Sequence, residues 1–85
     1  MSERTKGAAL ARKVGAPKTA ELIEGTAACY YSRIFHSAIE EIGVPRLIDA
    51  LVEAKDAEWA YLALITIRDL TEGQRSALQK KAQAA

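Results

Sequence analysis

Residues 59–67 read Trp-Ala-Tyr-Leu-Ala-Leu-Ile-Thr-Ile, the most apolar run of the chain. On a helix this run places apolar side chains in nearly every direction, and such a helix must be covered on more than one side. Asp56 precedes the run and is placed to cap it, while Glu58 lies in the first turn, where the helix dipole favours negative charge. We therefore expect a buried central helix that continues to Leu70 and against which the other segments pack.

A strand from Tyr61 to Ile67 is the alternative, because the period of a short apolar run with β-branched residues is ambiguous. A helix is favoured because no second strand-like run lies nearby to pair with this one. The run is also far shorter than the roughly 20 residues that span a bilayer, so we expect no membrane association.

The composition favours an all-α fold. The chain has 85 residues, which is the size of one small domain, and it contains only two prolines. Alanine, leucine, glutamate and lysine are abundant, and these residues favour helix. A single cysteine and an N-terminus without an apolar signal segment favour a cytoplasmic protein without disulfide bonds.

Glycine and proline divide the first half of the chain into segments. Residues 1–14 form a basic arm or a short helix that stops at Gly15, and part of it is expected to be disordered. A single helical domain then covers residues 15–85. Pro17 suits the start of the next helix. The sequence leaves open whether residues 17–42 form one helix or two helices separated near Gly25.

The second half has clearer start and stop signals. Residues 27–42 carry a wide apolar stripe, which Gly43 ends and after which Pro45 starts a short helix to about Ala54. After the central helix, Thr71 and Gln74 have the spacing of a capping box that opens a last helix. These signals predict a compact bundle of four or five short helices.

From Leu47 to Leu78 the order is helix, tight Lys-Asp turn, Trp-Ala-Tyr helix, Leu-Thr-x-x-Gln cap and helix. In these residues the chain resembles units of the α-solenoid type, which are helical hairpins that stack on one another. The resemblance covers about a third of the chain. It implies a helical-hairpin-repeat fragment that serves as an interaction scaffold rather than a catalyst.

The segment from Leu10 to Glu24 resembles a helix-turn-helix. In that motif a small residue precedes the turn glycine by four positions, as Ala11 precedes Gly15. The position six after the glycine should be apolar, but it is Glu21, so the match is degenerate. Residues 1–18 carry five basic residues against one acid, and such a charge can contact phosphates. Under this alternative, the nucleic-acid contacts are Arg12, Lys13 and Lys18.

We expect no catalytic, cofactor or metal site. Cys29 and His36 lie two turns apart, about 10 Å along a helix, which is too far for a thiolate and its base. His36 and Glu40 lie one turn apart, but two ligands do not make a structural zinc site. We expect no serine–histidine–aspartate set, because His36 is the only histidine.

The surplus of apolar side chains suggests a binding surface. Tyr30 and Tyr61 lie off the main stripes of their helices beside large apolar neighbours, and small domains that cannot cover such surface often form symmetric dimers. The expected interface residues are Tyr30, Trp59, Tyr61, Leu64 and Ile65. We expect a small non-catalytic protein–protein interaction module, either an adaptor, an inhibitor or an assembly subunit, of the type that bacterial or phage genes encode. The alternative is a small DNA-binding regulator.

Overall fold

Six α-helices make up the part of the chain that the computed structural model describes, residues 3–25 and 31–84, with side chains from Lys6 onward. They are α1 (Glu3–Lys13), α2 (Pro17–Gly25), α3 (Tyr31–Ile42), α4 (Val44–Glu53), α5 (Glu58–Thr66) and α6 (Glu72–Gln83). These residues contain no strand, so the predicted all-α fold is confirmed. The predicted number of four or five helices was too low, because residues 3–42 alone form three helices.

Two glycines end helices where the sequence predicts. Gly15 and Gly43 have φ angles of 89° and 84°, a left-handed conformation that favours glycine. The amide of Ala16 donates to the carbonyl of Ala11 at 2.8 Å, which closes the end of α1. Pro17 then begins α2, and a proline lies in the first turn of α4. The backbone signals that separate α1 from α2 and α3 from α4 are therefore local.

Helices α2 and α3 are two separate antiparallel helices. The amide of Thr19 in α2 donates to a carboxylate oxygen of Glu41 in α3 at 2.9 Å. In one straight helix these two residues would lie about 33 Å apart, at 1.5 Å per residue. The division of residues 17–42 into two helices, which the sequence left open, is thereby decided. Residues 26–30, which include the predicted helix start at Ala27, lie outside the described part.

The central helix is shorter than the sequence predicts. Helix α5 ends at Thr66 rather than Leu70, and Ile67 has an extended backbone with its side chain in the core. Thr66 and Ile67 are both β-branched, which favours an end of the helix at this point. The extended segment then leads directly into the cap of the next helix. At the start of α5, Asp56 accepts the amide of Glu58 at 3.0 Å, although the cap position itself is Ala57.

The predicted capping box of α6 is confirmed. The side chain of Thr71 accepts the amide of Gln74 at 3.1 Å, and the side chain of Gln74 accepts the amide of Thr71 at 3.0 Å. These two bonds satisfy two of the free N–H groups at the helix start. Because Thr71 must be extended to make them, the box also fixes the direction in which α6 leaves the segment after α5.

The core is built from side chains of all six described helices. Trp59 packs edge-on against Tyr31 and Phe35, with ring centroids 5.7 and 6.1 Å away. Ala8 of α1 and Leu78 of α6 are buried in the same cluster. Helix α1 is therefore part of the folded core. The hairpin-like α4–α6 segment packs with the other helices into one globule of 32 × 25 × 21 Å.

Candidate interaction surface

The outward side of α5 carries an apolar patch, formed by Tyr61 and Ile65. Tyr61 is 55% exposed and Ile65 is 64% exposed, and they are the exposed large hydrophobic residues among those described. They are four residues apart on a helix, so their side chains lie on the same face about one turn from each other. The patch is therefore continuous rather than two scattered residues.

The patch exists because α5 is apolar on more sides than its neighbours cover. Ala60 and Ala63 are fully buried, where α5 packs against α3 and α6. Leu62 and Leu64 are partly buried and pack against the core from the two edges of the outward face. The small alanines let the neighbouring helices approach α5 closely on one side. No described helix covers the opposite side, where Tyr61 lies.

The predicted interface residues divide into three groups. Tyr61 and Ile65 are exposed, and Leu64 lies partly buried beside them. Trp59 does not belong to this surface, because it is only 9% exposed and packs against aromatic residues of α3. The prediction that Trp59 shares one surface with Tyr61 and Ile65 is therefore wrong. Tyr30 lies outside the described residues.

The basic residues proposed for the DNA-binding alternative have different local surroundings. Arg12 makes an ion pair with Glu24 of α2. The hydrogen bond and the charge of Glu24 raise the pKa of Arg12, and the hydrogen bond from Arg12 lowers the pKa of Glu24. Lys13 is exposed and lines a groove beside α4, while Lys18 lies at the start of α2. A phosphate contact by Arg12 would replace this exposed ion pair with Glu24.

A carboxylate occupies the end of the helix that a helix-turn-helix would insert into DNA. The amides of Lys18 and Thr19 donate to the two carboxylate oxygens of Glu41 at 2.8 and 2.9 Å, and the Thr19 hydroxyl also donates to this carboxylate at 2.7 Å. Recognition helices use their N-terminal residues to contact base edges. The negative charge of Glu41 at this position would repel a phosphate backbone.

The electrostatics of Glu41 follow from these bonds. Partial desolvation would raise the pKa of Glu41, but the bonds from the Thr19 side chain and from the amides of Thr19 and Lys18 outweigh it. The pKa of the carboxyl therefore lies below its usual value. The sequence alone does not indicate this role of Glu41. The partner residues are more than 20 positions away, so no local pattern could have indicated it.

Of Cys29 and His36, only His36 lies in the part of the chain that the structure describes. His36 is exposed, and its Nδ1 lies 3.4 Å from the Ser32 hydroxyl. Cys29 lies outside the described part. Among the described residues, no group of three histidine, cysteine, aspartate or glutamate side chains is placed to hold a metal ion.

The longest described helices, α3 and α6, have 12 residues each, and none of the described helices reaches the length and hydrophobicity of a bilayer span. No protein-family model matches the chain, and comparisons with curated proteins and with solved structures find no match either. The function is therefore inferred from the chain's own surface.

Proposed function

We propose that this chain is a small non-catalytic interaction module that self-associates through the outward face of α5. The observation that supports this proposal most strongly is the continuous apolar patch of Tyr61 and Ile65 on a domain whose other large apolar side chains, among those described, are buried or partly buried. Water-exposed patches of this kind mark association surfaces more often than isolated exposed residues do.

The arrangement of residues along α5 suits a symmetric antiparallel pair. Tyr61 and Ile65 lie two positions on either side of Ala63. If a twofold axis passes at that level, Tyr61 of one protomer meets Ile65 of its partner.

The size of the surface predicts a weak dimer. A stable interface covers about 800 Å² on each partner, and the whole chain exposes 5466 Å². Two exposed side chains supply only part of that area, so the partly buried Leu62 and Leu64 must contribute at the edges. The exposed apolar area is small, and association itself costs at least about 4 kcal/mol. We therefore expect only a weak dimer, with a dissociation constant on the order of 10–100 µM.

The test is the solution mass by light scattering between about 10 µM and 1 mM, a range that brackets the expected dissociation constant. The mass should rise from 9.2 kDa towards twice that value. The variant Tyr61→Ser/Ile65→Ser should remain monomeric across the range. Since both side chains are exposed, the fold should be retained. The matched control Arg33→Ser/His36→Ser truncates two exposed residues of α3 and should dimerise like the wild type.

Salt and DNA separate this proposal from the alternative. Apolar association should change little between low and high salt, whereas phosphate contacts weaken steeply as salt rises. The proposal fails if the protein is monomeric at 1 mM, or if Tyr61→Ser/Ile65→Ser dimerises as well as the wild type. Binding of a generic duplex at low salt that is lost when Lys13 and Lys18 are neutralised would favour a DNA-binding regulator.

A further inference from the structure

A second surface lies on the other side of α5, where a groove of about 840 Å³ runs between α1, the turn from α4 to α5 and the end of α6. Trp59 lines this groove. On a helix, Trp59 points about 200° away from Tyr61, so the groove and the apolar patch face different directions. Occupation of the groove therefore does not depend on the proposed self-association.

Four lysines line the groove, and they come from three different segments. Lys6 and Lys13 are on α1, Lys55 is in the turn before α5, and Lys81 is on α6. Within the described residues, none of the four takes part in an ion pair. Two acids, Glu53 and Asp56, also line the groove, and Asp56 accepts the amide of Glu58. Among the described residues, the lining therefore has two more lysines than acids.

Helix dipoles explain only part of this clustering. Basic residues are favourable in the last turn of a helix, which accounts for Lys13 in α1 and Lys81 in α6. Lys6 lies in the first half of α1, where the dipole favours negative charge instead. Its position beside the groove is therefore not explained by the helix that carries it.

The groove extends along about two turns of α1. Lys6 and Lys13 both line it and are seven residues apart, which is roughly 10 Å along the axis of α1. A partner helix of two or more turns can therefore lie along it. Alanines of α1, α4 and the following turn line much of the groove, and small side chains let a second helix approach closely. Leu10 and Trp59 add a larger apolar contact at the floor.

We infer that this groove binds a short amphipathic helical segment of a partner protein whose apolar face is flanked by acidic residues. The apolar face contacts Leu10 and Trp59, and the flanking carboxylates lie near the lysines of α1 and of the α4–α5 turn. The carboxylates also provide specificity, since a segment flanked by basic residues would meet four ammonium groups.

The experiment uses the full chain and a stapled helical peptide of about 14 residues, nearly four turns, with leucines along one face and glutamates on both flanks. Binding is followed by fluorescence of the single tryptophan, which lines the groove. A second peptide carries lysine in place of every glutamate. We expect the acidic peptide to bind and to change the emission of Trp59, and the basic peptide not to bind.

Two double variants with the same change in net charge locate the site. Lys6→Glu/Lys55→Glu reverses two exposed lysines of the groove, and we expect about tenfold weaker binding of the acidic peptide. Arg33→Glu/Arg75→Glu reverses two exposed arginines that do not line the groove, and we expect a change of less than about twofold. If charge reversal disturbs the fold, Lys6→Gln/Lys55→Gln should still weaken binding relative to Arg33→Gln/Arg75→Gln.

Three results would overturn the inference. The first is equal binding of the acidic and basic peptides, and the second is equal weakening by the groove pair and the arginine pair. The third is binding of duplex DNA that is lost in Lys6→Glu/Lys55→Glu while the acidic peptide does not bind, because the groove would then be a phosphate site.

Discussion

Replacement of Gly7 by alanine tests how α1 lies against the core. A Cβ atom at Gly7 would lie 2.7 Å from Cζ2 and 3.1 Å from Cη2 of the Trp59 indole. Favourable carbon–carbon contacts are about 3.5–4.0 Å long, so one of the two groups has to move. Trp59 has little freedom to move, because Tyr31 and Phe35 pack edge-on against it.

Two effects of opposite sign set the size of the change. Alanine in place of glycine within a helix stabilises by about 0.8–1.0 kcal/mol. Overpacking of a core typically costs about 1–3 kcal/mol. The free-energy cost of overpacking exceeds the gain from helix propensity over most of this range. We therefore expect Gly7→Ala to destabilise the protein by about 1 kcal/mol. In a domain of this size, such a loss lowers Tm by about 4–8 °C.

Gly73 supplies the matched control. It is also a helical glycine, but a Cβ atom there would meet nothing within 4 Å. We expect Gly73→Ala to stabilise the protein by about 0.5 kcal/mol, less than the full helix preference because the residue is in the first turn. Urea denaturation of both variants, followed by Trp59 fluorescence and by far-UV circular dichroism, gives the two free energies. If Gly7→Ala is as stable as Gly73→Ala, then α1 does not lie against Trp59 as described.

Four further substitutions test other parts of the structure. Thr71→Ala removes the acceptor of the α6 capping box and should cost about 1 kcal/mol in urea denaturation; a neutral result would show that the box does not stabilise α6. Leu78→Ala should cost about 2–5 kcal/mol because the side chain is fully buried, whereas Ile65→Ala should leave the monomer within about 0.5 kcal/mol, and similar costs would contradict the burial pattern. Glu41→Gln should lower Tm most at neutral pH. The folded pKa of Glu41 is depressed, so its contribution to stability is fully present above the usual carboxyl pKa, about 4.3. This contribution is lost as the pH falls through the folded pKa. A Tm difference between Glu41→Gln and the wild type that stays constant from neutral to acidic pH would contradict this account.

Local chemistry explains why much of the fold could be predicted from the sequence. Gly15 and Gly43 end helices through their own backbone conformation, and the Thr71 cap needs only a residue three positions later. These features depend on neighbours in the chain. The number of helices was less predictable, because nothing local shows that α2 and α3 run antiparallel.

The features that the sequence did not reveal are contacts between distant residues. Glu41 caps a helix more than 20 positions away, and Gly7 is required because the Trp59 ring lies above it. The end of α5 at Thr66 depends on the burial of Ile67 in the core. Trp59 and Ile65 are both large apolar residues of the same helix. Only the packing of α3 and α6 against that helix decides which of the two is exposed.

The most direct test of the proposed self-association is an isotope-filtered NOE experiment on a mixture of labelled and unlabelled protein at about 1 mM, above the expected dissociation constant. We expect intermolecular cross-peaks between the Tyr61 ring of one protomer and the Ile65 methyl groups of its partner. They would place the two α5 helices face to face and antiparallel. A spectrum without intermolecular cross-peaks, or with cross-peaks only from residues outside the α5 face, would contradict the proposal.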